Sequence, residues 1–257
     1  MLHSPEPSSD SQGVWPGHRN LCEVLVKIGG SILDHDDLTA ALVPAITALA
    51  RQHRIVILTG GGQAAKRIKA NQSKHGAEFY RFWRATGLFP EVNAYLLASY
   101  SPTFGIASCA AEITACLDTG QIAVFAPAGA ILNSLYFLPD WLVTTDSFGL
   151  YFAKQSGARR YVIVSDVDGI YERRPHSTSS NSTSPHSTSH GTPITHLGLE
   201  ELEQLPSSKL DRGFVDYYRR FPLPTSIVNG HFPDRVTAAI RGSPTLGTQI
   251  AARGQST

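Results

Sequence analysis

Short hydrophobic runs alternate with amphipathic stretches along most of this chain. Two runs near the start, at residues 24–28 and 55–58, are almost entirely apolar. This is the pattern of parallel strands that helices cover on both faces. Between the two runs, large aliphatic residues recur at the spacing of one helix face, and Asp36 or Asp37 can cap that helix. The recurring positions are Leu38, Leu42, Ile46 and Leu49. The beginning of the chain therefore predicts a strand–helix–strand unit.

The same alternation continues to the end of the chain. Further strands are predicted at residues 122–126, 161–165, 226–229 and 248–251. Helices are predicted from about residue 63, through an aromatic stretch from Phe79, after Ser147, and at about 233–241. Repeated strand–helix alternation of this kind predicts an α/β fold, a three-layer αβα sandwich with a mainly parallel central sheet.

Length and charge exclude several classes of protein. The chain has 257 residues, and its 22 basic and 21 acidic residues leave a net charge of only +1. A general nucleic-acid or anionic-membrane footprint is not expected at this balance, so no nucleic-acid or membrane partner is predicted. The polar N-terminus has no apolar signal segment, and no run of 18 apolar residues occurs. These features indicate a cytoplasmic protein.

Composition also divides the chain. Residues 1–20 read as a disordered tail, and residues 175–192 are almost wholly Ser, Thr, His, Pro and Asn. That second stretch has too little apolar area to offset its ordering entropy, which predicts a low-complexity surface insertion. The rest, residues 21–257, is predicted to form one domain. Three cysteines without a CxxC pair predict neither a disulfide framework nor a structural metal site.

A lysine followed by glycines ends the first predicted strand, in Lys27-Ile28-Gly29-Gly30-Ser31. An ammonium group at the end of a buried strand needs an anionic partner. The two glycines let the backbone turn and present bare N–H groups, which suits a polyphosphate. For this short string alone, a surface lysine before an ordinary Gly-Gly turn is an equally good interpretation.

A second glycine-rich turn, Thr59-Gly60-Gly61-Gly62, follows the second strand and opens a helix. Its amides and the helix dipole can face an anion. Two such turns on one parallel sheet place two anion cradles along the same carboxyl edge, where these sheets bind ligands. The chain has no P-loop motif. Gly60-x-Gly62-x-x-Ala65 also fits a loose dinucleotide fingerprint, although that leaves the first turn unexplained.

Two carboxylate-bearing motifs lie in the second half of the chain. Ser165-Asp166-Val167-Asp168-Gly169-Ile170-Tyr171 follows a buried strand, and its carboxylates can bind ribose hydroxyls or a metal ion. An Asx-type turn is the alternative there. Thr144-Thr145-Asp146-Ser147 precedes a helix, where an N-cap is the simpler interpretation. A carboxylate at this position can also fix a nearby lysine through charge-assisted hydrogen bonds.

Five motifs, taken in chain order, resemble those of the amino acid kinase superfamily. They are Lys27-x-Gly29-Gly30-Ser31, Gly60-Gly61-Gly62, Thr144-Thr145-Asp146-Ser147, Asp166-Val167-Asp168-Gly169-Ile170-Tyr171 and Gly247-Thr248-x-Ile250. The resemblance covers about residues 23–251. It implies the three-layer fold, with an acceptor-side half at about 21–140 and a nucleotide-side half at about 141–257.

Individual segments resemble different branches of this superfamily. Thr144-Thr145-Asp146-Ser147 is most similar to uridylate kinases. Asp211-Arg212, with Val228-Asn229-Gly230, is more similar to the molybdenum storage proteins. The segment with Trp83 and Asn93 is similar to aminomethylfuran-methanol phosphate kinases. These similarities leave the substrate open.

The resemblance implies a role for each matching residue, with ATP as the phosphoryl donor and Mg²⁺ bridging its phosphates. Lys27 would neutralise the transferring phosphoryl group, Asp146 would orient the lysines, and Lys209 is the candidate for a second, late lysine. The phosphate-binding set is Gly29, Gly30, Ser31, Gly60, Gly61 and Gly62. The nucleotide-binding set is Thr144, Thr145, Asp166, Asp168, Gly169 and Tyr171. Arg174-Pro175 stands where the superfamily usually has Asp-Pro or Asn-Pro.

The function expected from these motifs is ATP-dependent phosphoryl transfer to a small metabolite with a carboxylate, phosphate or alcohol acceptor group. One alternative is a nucleotide-binding storage protein for molybdate or tungstate, which would have the fold without the turnover. A dinucleotide-binding protein is the second alternative. The aromatic stretch with Phe79, Phe82 and Trp83 is typical of a core or a subunit interface, which predicts a homo-oligomer.

Overall fold

The computed structural model describes residues 20–75, 78–133, 142–172, 192–205 and 210–251. Most of the predicted tail at 1–20 and of the predicted insertion at 175–192 lies outside the described residues, and so does Lys209. In the described part of the chain, eight strands form one sheet and ten helices pack around it.

The strands begin and end close to the positions that the hydrophobic pattern predicts. They are β1 (Val24–Ile28), β2 (Ile55–Thr59), β3 (Phe104–Ala107), β4 (Ile122–Phe125), β5 (Arg160–Ser165), β6 (His196–Leu197), β7 (Thr225–Asn229) and β8 (Thr248–Ile250). The sequence did not predict β3 and β6. Both lie at the two ends of the sheet, where a strand has a neighbour on one side only.

The helices connect these strands in the expected alternation. They are α1 (Gly30–Leu33), α2 (Asp36–Thr47), α3 (Gly62–His75), α4 (Phe79–Ala98), α5 (Ala110–Asp118), α6 (Ala128–Leu132), α7 (Thr145–Gln155), α8 (Leu199–Gln204), α9 (Phe214–Arg220) and α10 (Pro233–Arg241). One detail differs from expectation, because His35 precedes the first turn of α2, and Asp36 and Asp37 lie inside that turn. None of the described helices has both the length and the apolar character needed to cross a membrane.

The sheet order is β3-β4-β2-β1-β5-β7-β8-β6, and only the β7–β8 pair is antiparallel. The three-layer sandwich with a mainly parallel sheet is therefore confirmed. Strand β1 lies between β2 and β5. The chain therefore first adds strands on one edge of β1 and later, from β5, on its other edge. At such a reversal the loops after neighbouring strands diverge and leave a crevice at the carboxyl edge. The turns after β1, β2 and β5 meet there.

Two hydrophobic clusters, one on each face of the sheet, form the core. Alternate β1 residues divide between them: Leu25 belongs to one cluster, and Val24, Val26 and Ile28 belong to the other. Helices α5, α7 and α9 contribute to the cluster with Leu25, and α2 and α10 to the other. Lys27 follows the same alternation and therefore points to the face that α7 covers.

A close contact between α7 and β5 sets the position of the first turn of α7. Gly149 lies against the ring of Tyr161, whose hydroxyl donates to the carbonyls of Asp146 at 3.1 Å and Thr145 at 3.4 Å. A Cβ atom at Gly149 would lie 2.2 Å from the Tyr161 oxygen and 2.7 Å from its Cζ. The helix can approach the sheet this closely only because residue 149 has no side chain.

Gly149→Ala is expected to destabilise the protein by about 1–3 kcal/mol, the usual range for overpacking. An exposed helical glycine behaves in the opposite way, since alanine there stabilises a helix by up to about 1 kcal/mol. Thermal unfolding of the wild type and the variant measures the difference. Because the ring carbons of Tyr161 are also too close, adding Tyr161→Phe is not expected to restore stability.

Gly129→Ala in α6 is the matched control, because a Cβ atom at Gly129 would meet nothing within 4 Å. Its melting temperature should equal or slightly exceed that of the wild type. If Gly149→Ala proved as stable as Gly129→Ala, the close packing of α7 on Tyr161 would be wrong.

Candidate active site

A cavity of about 280 Å³ opens at the carboxyl edge of the sheet, where the turns after β1, β2 and β5 meet the N-terminus of α7. Eleven of the residues predicted from the sequence line it. They are Lys27, Gly29, Gly30, Ser31, Gly60, Gly61, Gly62, Thr144, Thr145, Asp146 and Asp166. The structure thus brings together residues from four motifs that are far apart in the chain.

The two glycine-rich turns pack backbone against backbone. A Cβ atom at Gly30 would lie 2.0 Å from the amide nitrogen of Gly62, and one at Gly60 would lie 2.6 Å from that of Gly30. The Gly60 amide donates to the carbonyl of Ile28 at 2.8 Å. No side chain fits between the turns, so both lie close enough to line one cavity with bare main chain.

The start of α3 also depends on a glycine. Gly62 has φ +63°, in the left-handed region that favours glycine. The next amide, of Gln63, donates to the carboxylate of Asp34 at 3.0 Å. The remaining free amides of this turn can face an anion in the cavity, as helix N-termini commonly do.

Helix α4 holds the second glycine turn in place. The side-chain amide of Asn93 donates to the carbonyl of Gly60 at 2.6 Å, and the hydroxyl of Thr59 donates to the carbonyl of Pro90. On the same helix, Glu91 accepts a hydrogen bond of 2.9 Å from the amide of Ala128 at the start of α6. These contacts fix the glycine turn against α4.

Lys27 and Asp146 form an ion pair inside the cavity. The Lys27 Nζ atom lies 2.7 Å from Asp146 Oδ1, and both side chains are 11% exposed. No described residue donates a well-aligned hydrogen bond to that oxygen. Removing one member of a buried pair typically costs about 3–5 kcal/mol, since the other charge is left unpaired. The pair therefore fixes the lysine at the edge of β1.

A third carboxylate, Asp211, caps α7 from a distant part of the chain. Its Oδ2 atom accepts from the Thr144 amide at 2.8 Å, the Thr144 hydroxyl at 2.9 Å and the Ser147 amide at 3.0 Å. The Ser147 hydroxyl donates to its Oδ1 atom. Sequence reasoning noted Asp211 only as a mark of one branch, because its contacts lie 64–67 residues away and leave no local pattern.

Three residues of the predicted nucleotide-binding set, Asp168, Gly169 and Tyr171, are not among the residues that line the cavity. Asp168 Oδ1 accepts from the side chains of Asn229 at 2.9 Å and Arg235 at 2.6 Å. The Arg235 guanidinium stacks over the ring of Phe232 at 3.8 Å. Burial, followed by the charge of Asp168, raises the pKa of Tyr171. Asp168, Gly169 and Tyr171 are therefore near one another but are not part of the cavity wall.

The terminal motif supports this second region. The Thr248 hydroxyl accepts from the amide of Ile170 at 2.8 Å and donates to the carbonyl of Ile194 at 2.7 Å. It thereby connects β8 to the turn after Gly169. Thr248 is fully buried and does not itself line the cavity, although it pairs across the sheet with Ile227, which does.

One cation that sequence reasoning missed also lines the cavity. Lys66 lies in the first turns of α3, four residues after Gly62. It has no ion-pair partner among the described residues. A charged, unpaired side chain at the mouth of an amide-lined cavity suits an anionic ligand. The pattern Gly60-Gly61-Gly62 pointed to the helix start, but not to which of its polar residues would face inward.

Comparison with known proteins agrees with this geometry. The model of the amino acid kinase family matches residues 23–210. The chain belongs to the amino acid kinase family. The matched residues include both glycine-rich turns, whereas the dinucleotide fingerprint accounts only for the second turn.

Two characterised relatives align over nearly their whole length. A [5-(aminomethyl)furan-3-yl]methyl phosphate kinase from Methanocaldococcus jannaschii is 26% identical over 234 residues, 88% of this chain and 96% of that protein. A uridylate kinase from Pyrobaculum calidifontis is 24% identical over 228 residues, 85% of this chain and 95% of that protein.

Solved structures show the same fold. A uridylate kinase from Archaeoglobus fulgidus superposes with a TM-score of 0.68 at 21% identity, over 89% of this chain and 100% of that one. A UMP kinase from Bacillus anthracis gives 0.67 at 16% identity, over 91% and 97% of the two chains. The family match and the two relatives make the chain a small-molecule kinase, with ATP as the implied donor.

Proposed function

We propose that this kinase transfers the γ-phosphoryl group of ATP to the phosphate of a small phosphomonoester. The observation that carries the proposal is the presence of two lysines, Lys27 and Lys66, on separate elements around one amide-lined cavity. A kinase that joins two phosphate groups must balance charge on both. Both characterised relatives, by their names, act on phosphomonoesters.

On the donor side, Lys27 and the amide of Gly30 would contact the phosphoryl group in transit, whereas the Gly29 amide donates to the carbonyl of Val164 at 2.8 Å. Asp146 holds Lys27 by their 2.7 Å ion pair. Phosphoryl transfer needs positioning and charge stabilisation more than covalent chemistry, and a preorganised lysine with main-chain amides supplies both. Lys209, our candidate for a cation on the leaving oxygen, lies outside the described residues, and Leu210 beside it lines the cavity.

The residues present fit a magnesium ion that arrives with ATP. The described residues contain no cluster of three or more metal-binding side chains. Mg²⁺ commonly binds through substrate phosphates and waters with only one or two carboxylates. Asp166 lines the cavity and can supply one such carboxylate, whereas Asp146 Oδ1 lies 2.7 Å from the ammonium group of Lys27. When bound, the ion would neutralise charge on the phosphates of ATP.

The lining favours a phosphate over an alcohol as the acceptor. In the reaction, an acceptor oxygen attacks the γ-phosphorus, the bond from that phosphorus to the β,γ-bridging oxygen breaks, and ADP leaves with the electron pair. A phosphomonoester is largely ionised at neutral pH, with its second pKa near 6, so it needs no base. An alcohol must lose a proton. No histidine is among the described lining residues, Asp146 is already paired with Lys27, and Asp166 already accepts from the hydroxyl of Ser165 at 3.2 Å.

The exposed face of α4 supports the predicted homo-oligomer. Leu88, Val92, Tyr95 and Leu96 recur at the spacing of one helix face and are 50%, 59%, 57% and 45% exposed. Glu91 is the only charged side chain between residues 85 and 100, and it caps α6. An apolar and nearly uncharged face can pair with a copy of itself without repulsion. We propose that a second copy of this chain covers it.

The acceptor class is tested with purified protein, ATP and Mg²⁺, by measuring ADP release and product formation. UMP and [5-(aminomethyl)furan-3-yl]methyl phosphate represent phosphomonoesters; glutamate and glycerol represent carboxylate and alcohol acceptors. A phosphomonoester is expected to be phosphorylated, and Lys66→Ala should raise KM for it by at least about tenfold, the loss of one charge-assisted contact. KM for ATP should change less than about threefold.

Arg67→Ala is the matched control, because Arg67 is the next residue on α3 and does not line the cavity. Its kinetic constants should equal those of the wild type. Phosphorylation of glutamate or glycerol alone would refute the phosphate acceptor. ATP-dependent retention of molybdate through gel filtration, without phosphoryl transfer to any acceptor, would instead indicate a storage protein.

Lys27→Met is expected to lower kcat by about 10²–10³-fold, as loss of one transition-state donor commonly does. Because Asp146 would then be unpaired, the double variant Lys27→Met, Asp146→Asn separates lost activity from lost stability. The double variant should unfold at a higher temperature than the single one and remain inactive.

Lys154→Met tests whether any lysine would have this effect. Lys154 lies in the last turn of α7, remote from the cavity, where it donates to the carbonyl of Pro222 at 3.3 Å. It should keep wild-type turnover. A folded Lys27→Met variant with wild-type kcat would remove Lys27 from the proposed mechanism.

Val92→Glu is expected to convert the wild-type oligomer to monomers, because it places a charge at the centre of the proposed contact. Analytical ultracentrifugation at micromolar concentration measures the mass. Leu246→Glu is the control, since Leu246 is 41% exposed just before β8, whereas α4 packs on β2, β3 and β4. A monomeric wild type, or an oligomer that survives Val92→Glu, would contradict the proposed interface.

A further inference from the structure

We propose that Asp211 is a positioning residue for phosphoryl transfer, which holds the first turn of α7 and through it Asp146 and Lys27. The inference rests on the proposed function for its kinetic consequences. Its structural basis is the set of four hydrogen bonds that converge on one carboxylate at the N-terminus of α7.

Helix α7 lacks an ordinary cap of its own. Thr144 is the N-cap residue, yet its side chain makes no capping bond within the helix. Its hydroxyl and amide both donate to Asp211 instead, as do the hydroxyl and amide of Ser147. Asp146 lies between these two residues in the chain. Any loosening of the cap therefore changes the position from which Asp146 reaches Lys27.

The segment that carries Asp211 is itself fastened to the same place. The Gly213 amide donates to the carbonyl of Leu142 at 2.8 Å, and the Phe214 amide donates to the carbonyl of Asp211 at 3.1 Å. Leu210, on the other side of Asp211, lines the cavity. The start of α9 and the start of α7 therefore form one unit at the edge of the site.

The charges around Asp211 make this cap sensitive to protonation. Asp146 of α7 and Tyr161 of β5 face it, and Lys27 of β1 is paired with Asp146; Arg212 is its neighbour in the chain. Burial, followed by the charge of Asp146, raises the pKa of Asp211 to about 6. Tyr161 stays neutral, because burial and the two carboxylates raise its pKa well above the usual value.

Protonation of Asp211 should loosen the cap. The ionised carboxylate offers two oxygens that only accept, and four donors use them. A protonated carboxyl carries a hydrogen on one oxygen and has one acceptor position fewer. As the pH falls through about 6, kcat should therefore fall because α7 no longer holds Asp146 against Lys27. Binding of ATP by the glycine turns should change less.

Protonation of Asp211 should lower kcat, but it should raise the stability of the folded protein. The folded-state pKa of Asp211 lies above the usual value of 3.8, so the native state binds the proton more tightly than the unfolded chain. The ionised group thus costs stability above pH 6, and this cost disappears as the pH falls toward 4. Asp211 should make the wild type more stable relative to an uncharged variant at pH 5 than at pH 7.5.

Asp211→Asn is the decisive variant, because asparagine has the same shape but one oxygen and no charge. At pH 7.5 its kcat should fall by about 10- to 100-fold, the usual effect of losing hydrogen bonds to a charged group. KM for ATP should stay within about threefold. The decrease in kcat near pH 6 should be smaller in the variant than in the wild type, because only protonation of the acceptor phosphate remains. The melting temperature of the variant should fall behind that of the wild type as the pH is lowered.

Glu112→Gln is the control for a capping carboxylate outside the site. Glu112 accepts from the amide and hydroxyl of Ser108 at 2.7 and 2.8 Å, at the start of α5. Its loss should leave kcat and the pH profile unchanged. If Asp211→Asn fails to fold, Ser147→Ala removes one of the four donors and should show a smaller decrease in kcat with the same acid limb.

Hydrogen–deuterium exchange of residues 144–148 measures how firmly the start of α7 is held, and it needs no phosphoryl acceptor. Exchange should be faster in Asp211→Asn than in the wild type, and equal in Glu112→Gln and the wild type. Unchanged exchange, a kcat within about threefold of the wild type, or an equally large decrease in kcat near pH 6 in both proteins would each overturn the inference. A wild type without phosphoryl transfer would refute the proposed function, while exchange would still decide whether Asp211 holds α7.

Discussion

The arrangement of the rest of the site depends on a buried ammonium group at the end of a central strand. Lys27 follows Leu25 on the face of β1 that α7 covers, so its charge cannot reach bulk solvent freely. The fold must therefore supply an anion from the covering layer, and Asp146 is that anion. The pair needs α7 to start at one defined position. The cap by Asp211 and the hydroxyl of Tyr161 both act on that start.

The glycine turns impose a second, steric constraint on the same edge. Because Gly30 and Gly60 bring two backbones into direct contact, the turns after β1 and β2 cannot move independently. Asn93 then connects the pair to α4, a helix that also exposes the apolar face proposed for a second copy of the chain. Under the two proposals, α4 would serve both the assembly and the site. A partner that fixes α4 would also steady the Gly60 turn, with no direct contact between partner and ligand.

The sequence predicted most of this arrangement wherever the decisive information was local. Apolar runs identified β1, β2, β5 and β7, because central parallel strands are buried on both faces. The edge strands β3 and β6 were missed: β3 contains a glycine, and β6 has only two residues. The glycine-rich turns, predicted as phosphate cradles from an equally local pattern, line the cavity. Asp211 and Lys66 could not be placed, because one acts over 64–67 residues and the other depends on how α3 is rotated.

The two carboxylates at the start of α7, Asp146 and Asp211, contact different partners. Asp146 meets the lysine, whereas Asp211 meets four neutral donors and no cation among its described hydrogen-bond partners. A neutral side chain in the place of Asp211 would avoid the burial of a charge and the repulsion from Asp146, which together raise the pKa of Asp211, yet it could not accept from all four donors. The ionised form of Asp211 would therefore lower the stability of the folded protein while it holds α7 in one orientation. Such a cost is expected at a functional site, where the geometry of the reacting groups matters more than the stability of the fold.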